Sequence, residues 1–248
     1  MVTFQIESWA AIAPGLETRE AWENWLKHPE AVPEALAKVP LDKIPPMLRR
    51  RFGTLGKCAM AAAIQVLNDD EPIPGIFSSR HGDTALTLSL LEDMGRDEPM
   101  SPTGFSLAVH NAVSGLFSIV RKDTSMVTSL AAMEGLVLHT LLEAAGQLQV
   151  SDRVLCVIYD IPLPELYRHY CTGDDFPYAI AVILCHADGE SYSIEQCEQV
   201  IPSKNSPFQD FLSMNLEPVR FLELLAGIST EMSVELNGAA WRIAKTES

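Results

Sequence analysis

An α/β fold, with helices on both faces of a sheet, is predicted by three observations. Residues 153–160 (RVLCVIYD) and 178–186 (YAIAVILCH) are continuous apolar runs, as strands buried on both faces require. Helical and strand patterns alternate along the chain, the arrangement that lays helices over a sheet. Residues 130–149 form a helical pattern that is apolar almost all the way round. Leu130, Met133, Leu136, Val137, Leu138, Leu141, Leu142, Ala144, Ala145 and Leu148 leave it little polar face. Such a helix is buried on every side, in a large core or in a membrane. Glu134, His139 and Glu143 interrupt it too often for a membrane span, which needs ~20 largely apolar residues. It is therefore read as the central buried helix of a layered fold.

The first strand is expected over residues 3–13, where Phe4, Ile6 and Ser8 alternate with Gln5, Glu7 and Trp9 before Pro14-Gly15. Residues 16–28 suit a short surface helix with Trp22, Trp25 and Leu26 turned inward. Five prolines at about 29–46 exclude one continuous helix, so this stretch is read as a Pro-rich irregular insertion laid over the surface. Arg49-Arg50-Arg51 is the one basic cluster: either a solvated or ion-paired helix start or a docking point for an acidic partner. A helix at about 54–67 follows, whose Ala59, Ala61, Ala62 and Ala63 allow a neighbour close. Residues 74–79 make a short strand, and Arg80-His81-Gly82 leads into a helix over 83–94 with Asp83 as N-cap.

Residues 101–105 read as a turn, 106–114 as a short helix, and 126–128 as a brief strand feeding the central helix. Pro162 and Pro164 break the chain after the strand at 153–160. The strand at 178–186 is expected to turn at Asp188-Gly189 into a hairpin partner at 192–199. An amphipathic helix over 207–227 carries Phe208, Phe211, Leu212, Leu216, Phe221 and Leu224. A strand over 233–244 containing Trp241 ends the chain.

A length of 248 residues suffices for one large domain or two small ones. With no internal repeat or low-complexity linker, residues 1–248 are read as a single domain. The apolar fraction of 47% supports a sizeable core, and 21% charged residues is ordinary for a globular chain. A formal net charge of −15 argues against sequence-independent nucleic-acid binding and against an anionic membrane surface. The first residues, MVTFQIESWAAIAPG, carry no basic region ahead of their apolar ones, so no signal peptide is expected. Cys58, Cys156, Cys171, Cys185 and Cys197 are odd in number and irregularly spaced, without C-x-x-C. They read as reduced, mostly buried thiols of a cytoplasmic protein.

Residue chemistry alone yields no active site. The mouth of the central helix, Val127-Thr128-Ser129-Leu130-Ala131-Ala132-Met133-Glu134, holds no cysteine. The nearest match to a G-x-S-x-G serine motif, at Ser114 and Ser129, lacks the first glycine. His81, His110 and His139 read singly as hydrogen-bonded structural groups. The pair His110-Asn111 stands out, because polar groups in an apolar helix need buried partners. Metal-binding H-E-x-x-H and Gly-rich phosphate loops are missing, so no metal or cofactor is expected.

Several strings carry a resemblance. Arg49-Arg50-Arg51 precedes the Ala-rich helix, and Phe77-Ser78-Ser79-Arg80-His81-Gly82 ends a strand in S-R-x-G fashion. The run from Ser101 to Ala112 reads S-P-T-x-F-S-x-x-V-H-N-A, followed by Gly115-Leu116-x-Ser118-Ile119 and the helix from Thr128 to Ala145. In these features, over about residues 2–186, the chain resembles the β-ketoacyl synthase family, in its short N-terminal type. The resemblance implies a thiolase-like, layered α/β/α half-unit that lacks most of the second half, with its H-G-T and glycine-rich asparagine motifs.

In true synthases the central helix carries the active-site cysteine, and here Ala131, Ala132 or Met133 takes that place. Without a thiolate to accept the acyl chain and histidines to support decarboxylation, this chain alone cannot condense acyl units. The resemblance therefore implies a chain-length factor, an inactive relative that pairs with a β-ketoacyl synthase in type II fatty-acid-like or polyketide assembly. Short proteins of this type resemble those of aryl polyene biosynthesis. Phe105, His110, Asn111, Thr128, Met133 and Glu134 are the expected tunnel and interface residues. A half-size unit would leave an apolar sheet edge and helix face for the partner to cover. Acyl carrier proteins are acidic, so the acyl chain is expected to arrive on a carrier docked mainly to the partner. The competing expectation is an acyl-transferring or hydrolysing enzyme using Ser129 or Cys156.

Overall fold

The two apolar runs lie side by side at the centre of the sheet. In the computed structural model, which describes residues 1–33, 36, 39, 41–68, 71–170, 176–198 and 216–246, they are β4 (Arg153–Asp160) and β5 (Tyr178–Cys185). They pair antiparallel from Arg153↔Cys185 to Asp160↔Tyr178. Every residue of β4 beyond Arg153 is buried, because both faces of the sheet are covered. Val154, Cys156 and Ile158 enter one core, and Leu155, Val157 and Tyr159 the other.

The remaining strands are β1 (Val2–Ile12), β2 (Gly75–Ser78), β3 (Val127–Leu130), β6 (Ser191–Cys197), β7 (Glu231–Leu236) and β8 (Ala239–Thr246). All eight form one sheet in the order β3-β2-β4-β5-β1-β6-β8-β7. β2 runs parallel to β3 and to β4, and the other pairings are antiparallel. One face carries α1 (Arg19–Lys27), α7 (Leu136–Gln147) and α8 (Leu216–Leu225). The other carries α3 (Thr54–Val66) and α6 (Ala112–Arg121), which completes the layered α/β/α arrangement.

The Ala-rich helix behaves as its composition requires. Residues Cys58 to Ala63 are wholly buried, and α3 packs on β5, β1 and β4. Small side chains let it lie close, so a larger one has no room. Ala62→Leu is expected to cost about 1–3 kcal/mol by overpacking, measured by urea denaturation. In α1, Thr18 Oγ1 accepts from Ala21 N, and Trp22, Trp25 and Leu26 are buried as expected. Between α1 and α2 (Pro46–Arg49) the described residues form no helix or strand, though Leu41 and Ile44 are sunk in the core.

Several expectations are corrected. The central helix begins at Leu136 and not at residue 130: Val127–Leu130 is strand β3, and Gly135, at φ 64°, turns the chain into the helix. Residues 101–105 are no mere turn. Ser101 Oγ accepts from Gly104 N and Pro102 takes the first helical position, so α5 (Pro102–Ala108) starts there. α5 and α6 are then separate helices, bent 100° from each other at Val109–Asn111.

The expected hairpin of β5 with β6 does not form, because β1 lies between them. β1 changes partner after Phe4, Val2–Phe4 pairing with β6 and Gln5–Ile12 with β5, and a bulge lies between Ile6 and Ser8. The bulge also switches the alternation, so Phe4 and Trp9, of opposite parity, enter the same core. The final strand is a hairpin instead, β7 and β8 joined by Asn237-Gly238 at φ 52° and 74°, the left-handed pair that tight hairpins favour. Of the last helix, Leu216–Leu225 is helical, while Phe208, Phe211 and Leu212 lie outside the described residues, as does Cys171. Among the described residues no single helix is long and apolar enough to cross a membrane.

Candidate functional site

β3, β2 and β4 are parallel and point their carboxyl ends the same way. The chain leaves β2 to reach β3 on one side and returns to β4 on the other. At such a reversal the connections diverge and leave a crevice, which is where α/β sheets place their sites. Four segments meet there: the loop after β2 (Ser79 to Asp83), the end of β4 (Asp160), the α5–α6 corner (His110) and the connection from β3 into α7 (residues 131–135).

Asp160 organises the loop after β2. Its carboxylate accepts from Ser79 Oγ at 2.8 Å and from Arg80 N at 3.1 Å, and lies 3.5 Å from His81 N. Ser79 Oγ in turn accepts from Gly82 N at 2.8 Å. Burial raises the Asp160 carboxyl to about 6 against these donors and the Arg80 charge, which favour ionisation. Burial likewise lowers the His81 imidazole to about 4, helped by the charge of Arg80. Ser78, one residue earlier, lies 2.7 Å from Thr140 Oγ1, whose proton is directed to Leu136 O at 2.6 Å.

His110 ties the α5–α6 corner to β3. Its Nε2 is 2.9 Å from Leu130 O; a carbonyl only accepts, so Nε2 carries the proton. Nδ1 faces Gly82, where an added Cβ would come within 3.3 Å of it. Asn111 is exposed and begins α6 without a side-chain cap bond. Thr128 Oγ1 accepts from Gln147 Nε2 at 3.1 Å, which pins β3 to α7.

Ser129 Oγ lies 2.8 Å from Ser114 Oγ, which already donates to Asn111 O at 2.9 Å. Ser129 therefore donates to Ser114, and no general base touches it among the described residues. Cys156 and Cys58 are wholly buried. Burial pushes the Cys58 thiol up to about 12 and that of Cys156 higher still, so neither supplies a thiolate.

Between β3 and α7, Ala131, Met133 and Glu134 are exposed, and Ala132 alone turns toward the core. Met133 is 54% exposed and Phe105, on α5, 57%. The expected site residues thus divide in two. His110 borders the crevice, Thr128 bonds Gln147 at the end of α7 and Ala132 packs toward the core, while Phe105, Asn111, Met133 and Glu134 are exposed. The sequence reading missed the Ser79–Arg80–Asp160 cluster and Glu217, which closes the far side. An acid ending an apolar strand was the one available signal for Asp160. Among the described residues no group of His, Cys, Asp and Glu is placed to hold a metal ion.

The family model for the β-ketoacyl synthase N-terminal domain matches residues 22–242. The chain belongs to that family. No curated protein matches it. Among solved structures it is similar to a chain of a ketosynthase (ApeO) in complex with its chain length factor (ApeC) from Xenorhabdus doucetiae. The identity is 24% and the TM-score 0.80, over 98% of this chain and 100% of that one. It is also similar to the ishigamide ketosynthase/chain length factor, at 13% identity and TM-score 0.63, over 82% of this chain and 69% of that one. A third likeness is to AntDE:AntF, a type II polyketide synthase acyl-carrier protein in complex with its ketosynthase. There the identity is 12% and the TM-score 0.60, over 98% and 99% of the two chains. The β-ketoacyl synthase family member described here thus has the thiolase-like fold, built as an eight-stranded layered unit.

Proposed function

We propose that the chain is a non-catalytic, chain-length-factor-like partner of a β-ketoacyl synthase. It joins that enzyme in acyl elongation of the aryl polyene or polyketide type, in the cytoplasm, and shapes the acyl tunnel at their interface. The observation that carries this reading is an inert helix mouth beside an uncovered apolar surface. In this reading Ala131, Ala132 or Met133 takes the place of the family's nucleophile, and none of the three offers a group to acylate.

Next to it stands an arm made of α4 (Thr84–Gly95) and α5. α4 packs mainly on α5, and Leu90 is the one buried residue of the two helices. Leu91 and Met94, 52% and 55% exposed, lie one turn apart on α4, and Phe105 on α5 and Val109 just past its end are exposed as well. β3, half-buried throughout, is the edge of the sheet, and among the described residues no strand pairs with its outer side. Exposed apolar helices beside an open strand are costly to a lone chain and suit a partner's matching surface. The solved ketosynthase and chain length factor pairs of the same fold support that partner class.

Co-expression with its ketosynthase, followed by native mass determination and an elongation assay, tests the reading. The wild-type chain is expected to form a stable complex that elongates acyl groups, and to remain unacylated itself. Leu91→Glu with Phe105→Glu is expected to weaken the complex about a hundredfold or more, as loss of buried interface anchors does. Met133→Ala is expected to leave the complex intact and shift product length. Absence of a complex, or acyl transfer by the isolated chain that Ser129→Ala abolishes, would overturn the proposal.

A further inference from the structure

α7 begins without a side-chain cap of its own. Gly135 precedes it in the left-handed conformation and contributes none. The first amides of a helix need acceptors, and its positive end favours an anion. Here the acceptor comes from α8: Glu217 Oε1 accepts from Val137 N at 3.0 Å and from Leu138 N at 3.3 Å. Leu136 N also bonds this carboxylate, and Arg80 adds positive potential from the loop after β2. Burial pushes the Glu217 carboxyl up, against these donors and the guanidinium. α8 is otherwise seated by Val219, Phe221, Leu222, Leu224 and Leu225, all buried.

We infer that Glu217 is a built-in anion that fills the positive end of α7 and closes it to carboxylate or thioester oxygens from outside. This deepens the non-catalytic reading of the same site and rests on it. The end of the helix addressed by the family's nucleophile is here already neutralised by the chain itself. Loss of the cysteine and occupation of the helix end are two separate locks. Removing the Glu217 side chain leaves backbone donors and Arg80 around a space of carboxylate size, which a small carboxylate then fills.

The test uses the full chain, alone or with its ketosynthase, and reads thermal stability in sodium formate against sodium chloride at equal ionic strength. Wild type is expected to respond alike to both salts. Glu217→Ala is expected to melt lower and to recover saturably with formate only. Equal response of Glu217→Ala to both salts would overturn the inference. Where Glu217→Ala does not fold, Glu217→Gln keeps the shape without the charge. Its Val137 and Leu138 amides are expected to exchange about tenfold faster than in wild type, the ratio between charge-assisted and neutral hydrogen bonds. Unchanged exchange would equally refute it. Complex formation and elongation are read in a different assay, so failure here leaves the partner role standing, and the reverse.

Discussion

Asp160→Ala is expected to lower folding stability by about 3–5 kcal/mol, because it strips a buried acceptor from several donors at once. Ser79 and Arg80 are buried at the end of β4, so Ser79 Oγ and Arg80 N would lose their acceptor inside the fold. Denaturant titration at neutral pH measures the loss, and a change below about 1 kcal/mol, the size of an ordinary surface effect, would refute it.

The same carboxyl sets a pH dependence whose sign follows from its raised value. Its pKa moves from 3.8 to about 6 in the fold, so the folded chain holds this proton more tightly than the unfolded one. Its favourable contribution is complete below 3.8 and is lost as pH rises through about 6. Asp160→Asn is expected to flatten stability over that window, and an unaltered slope would assign the titration elsewhere.

Phe77→Ala is the second large effect, also about 3–5 kcal/mol, from transfer and cavity terms together. Phe77 is wholly buried on β2, with its ring 4.9 Å from that of Phe117 and 6.3 Å from that of Tyr159. It therefore couples the sheet to α6, which bears the Ser114–Asn111 corner. A double-mutant cycle with Phe117→Ala is expected to give about 0.5–1.5 kcal/mol of coupling beyond area burial. Additive losses would show that the rings fill space without interacting.

What was legible in the sequence was whatever local pattern determines. β4 runs over the expected residues, since an uninterrupted apolar run has one reading when both faces are buried. Asp83 caps its helix as expected, because a short polar side chain before a helical run has one good use. The start of α7 was misplaced because Leu130 to Met133 continue its apolar pattern, while the parallel pairing of β3 with β2 is set 52 residues upstream. The β5–β6 hairpin failed for a similar reason: a turn motif cannot show that another strand will take the place between. Asn237-Gly238 was a readable hairpin signal that a single long strand obscured. In the site, His110 was visible as a polar residue out of place. Glu217 was not, because it meets Val137 across 80 residues and its local surroundings resemble any helix start.

The position of β1 has a consequence for synthesis. It is synthesised well before its neighbours in the finished sheet, β5 and β6, and Gln5 faces Cys185 across 180 positions. At about 5–20 residues per second, β1 waits roughly ten to forty seconds for its partner strand. Through that interval its apolar side chains and both hydrogen-bonding edges stand open. Pairing over so long a loop slows folding, because loop closure precedes the contacts that reward it.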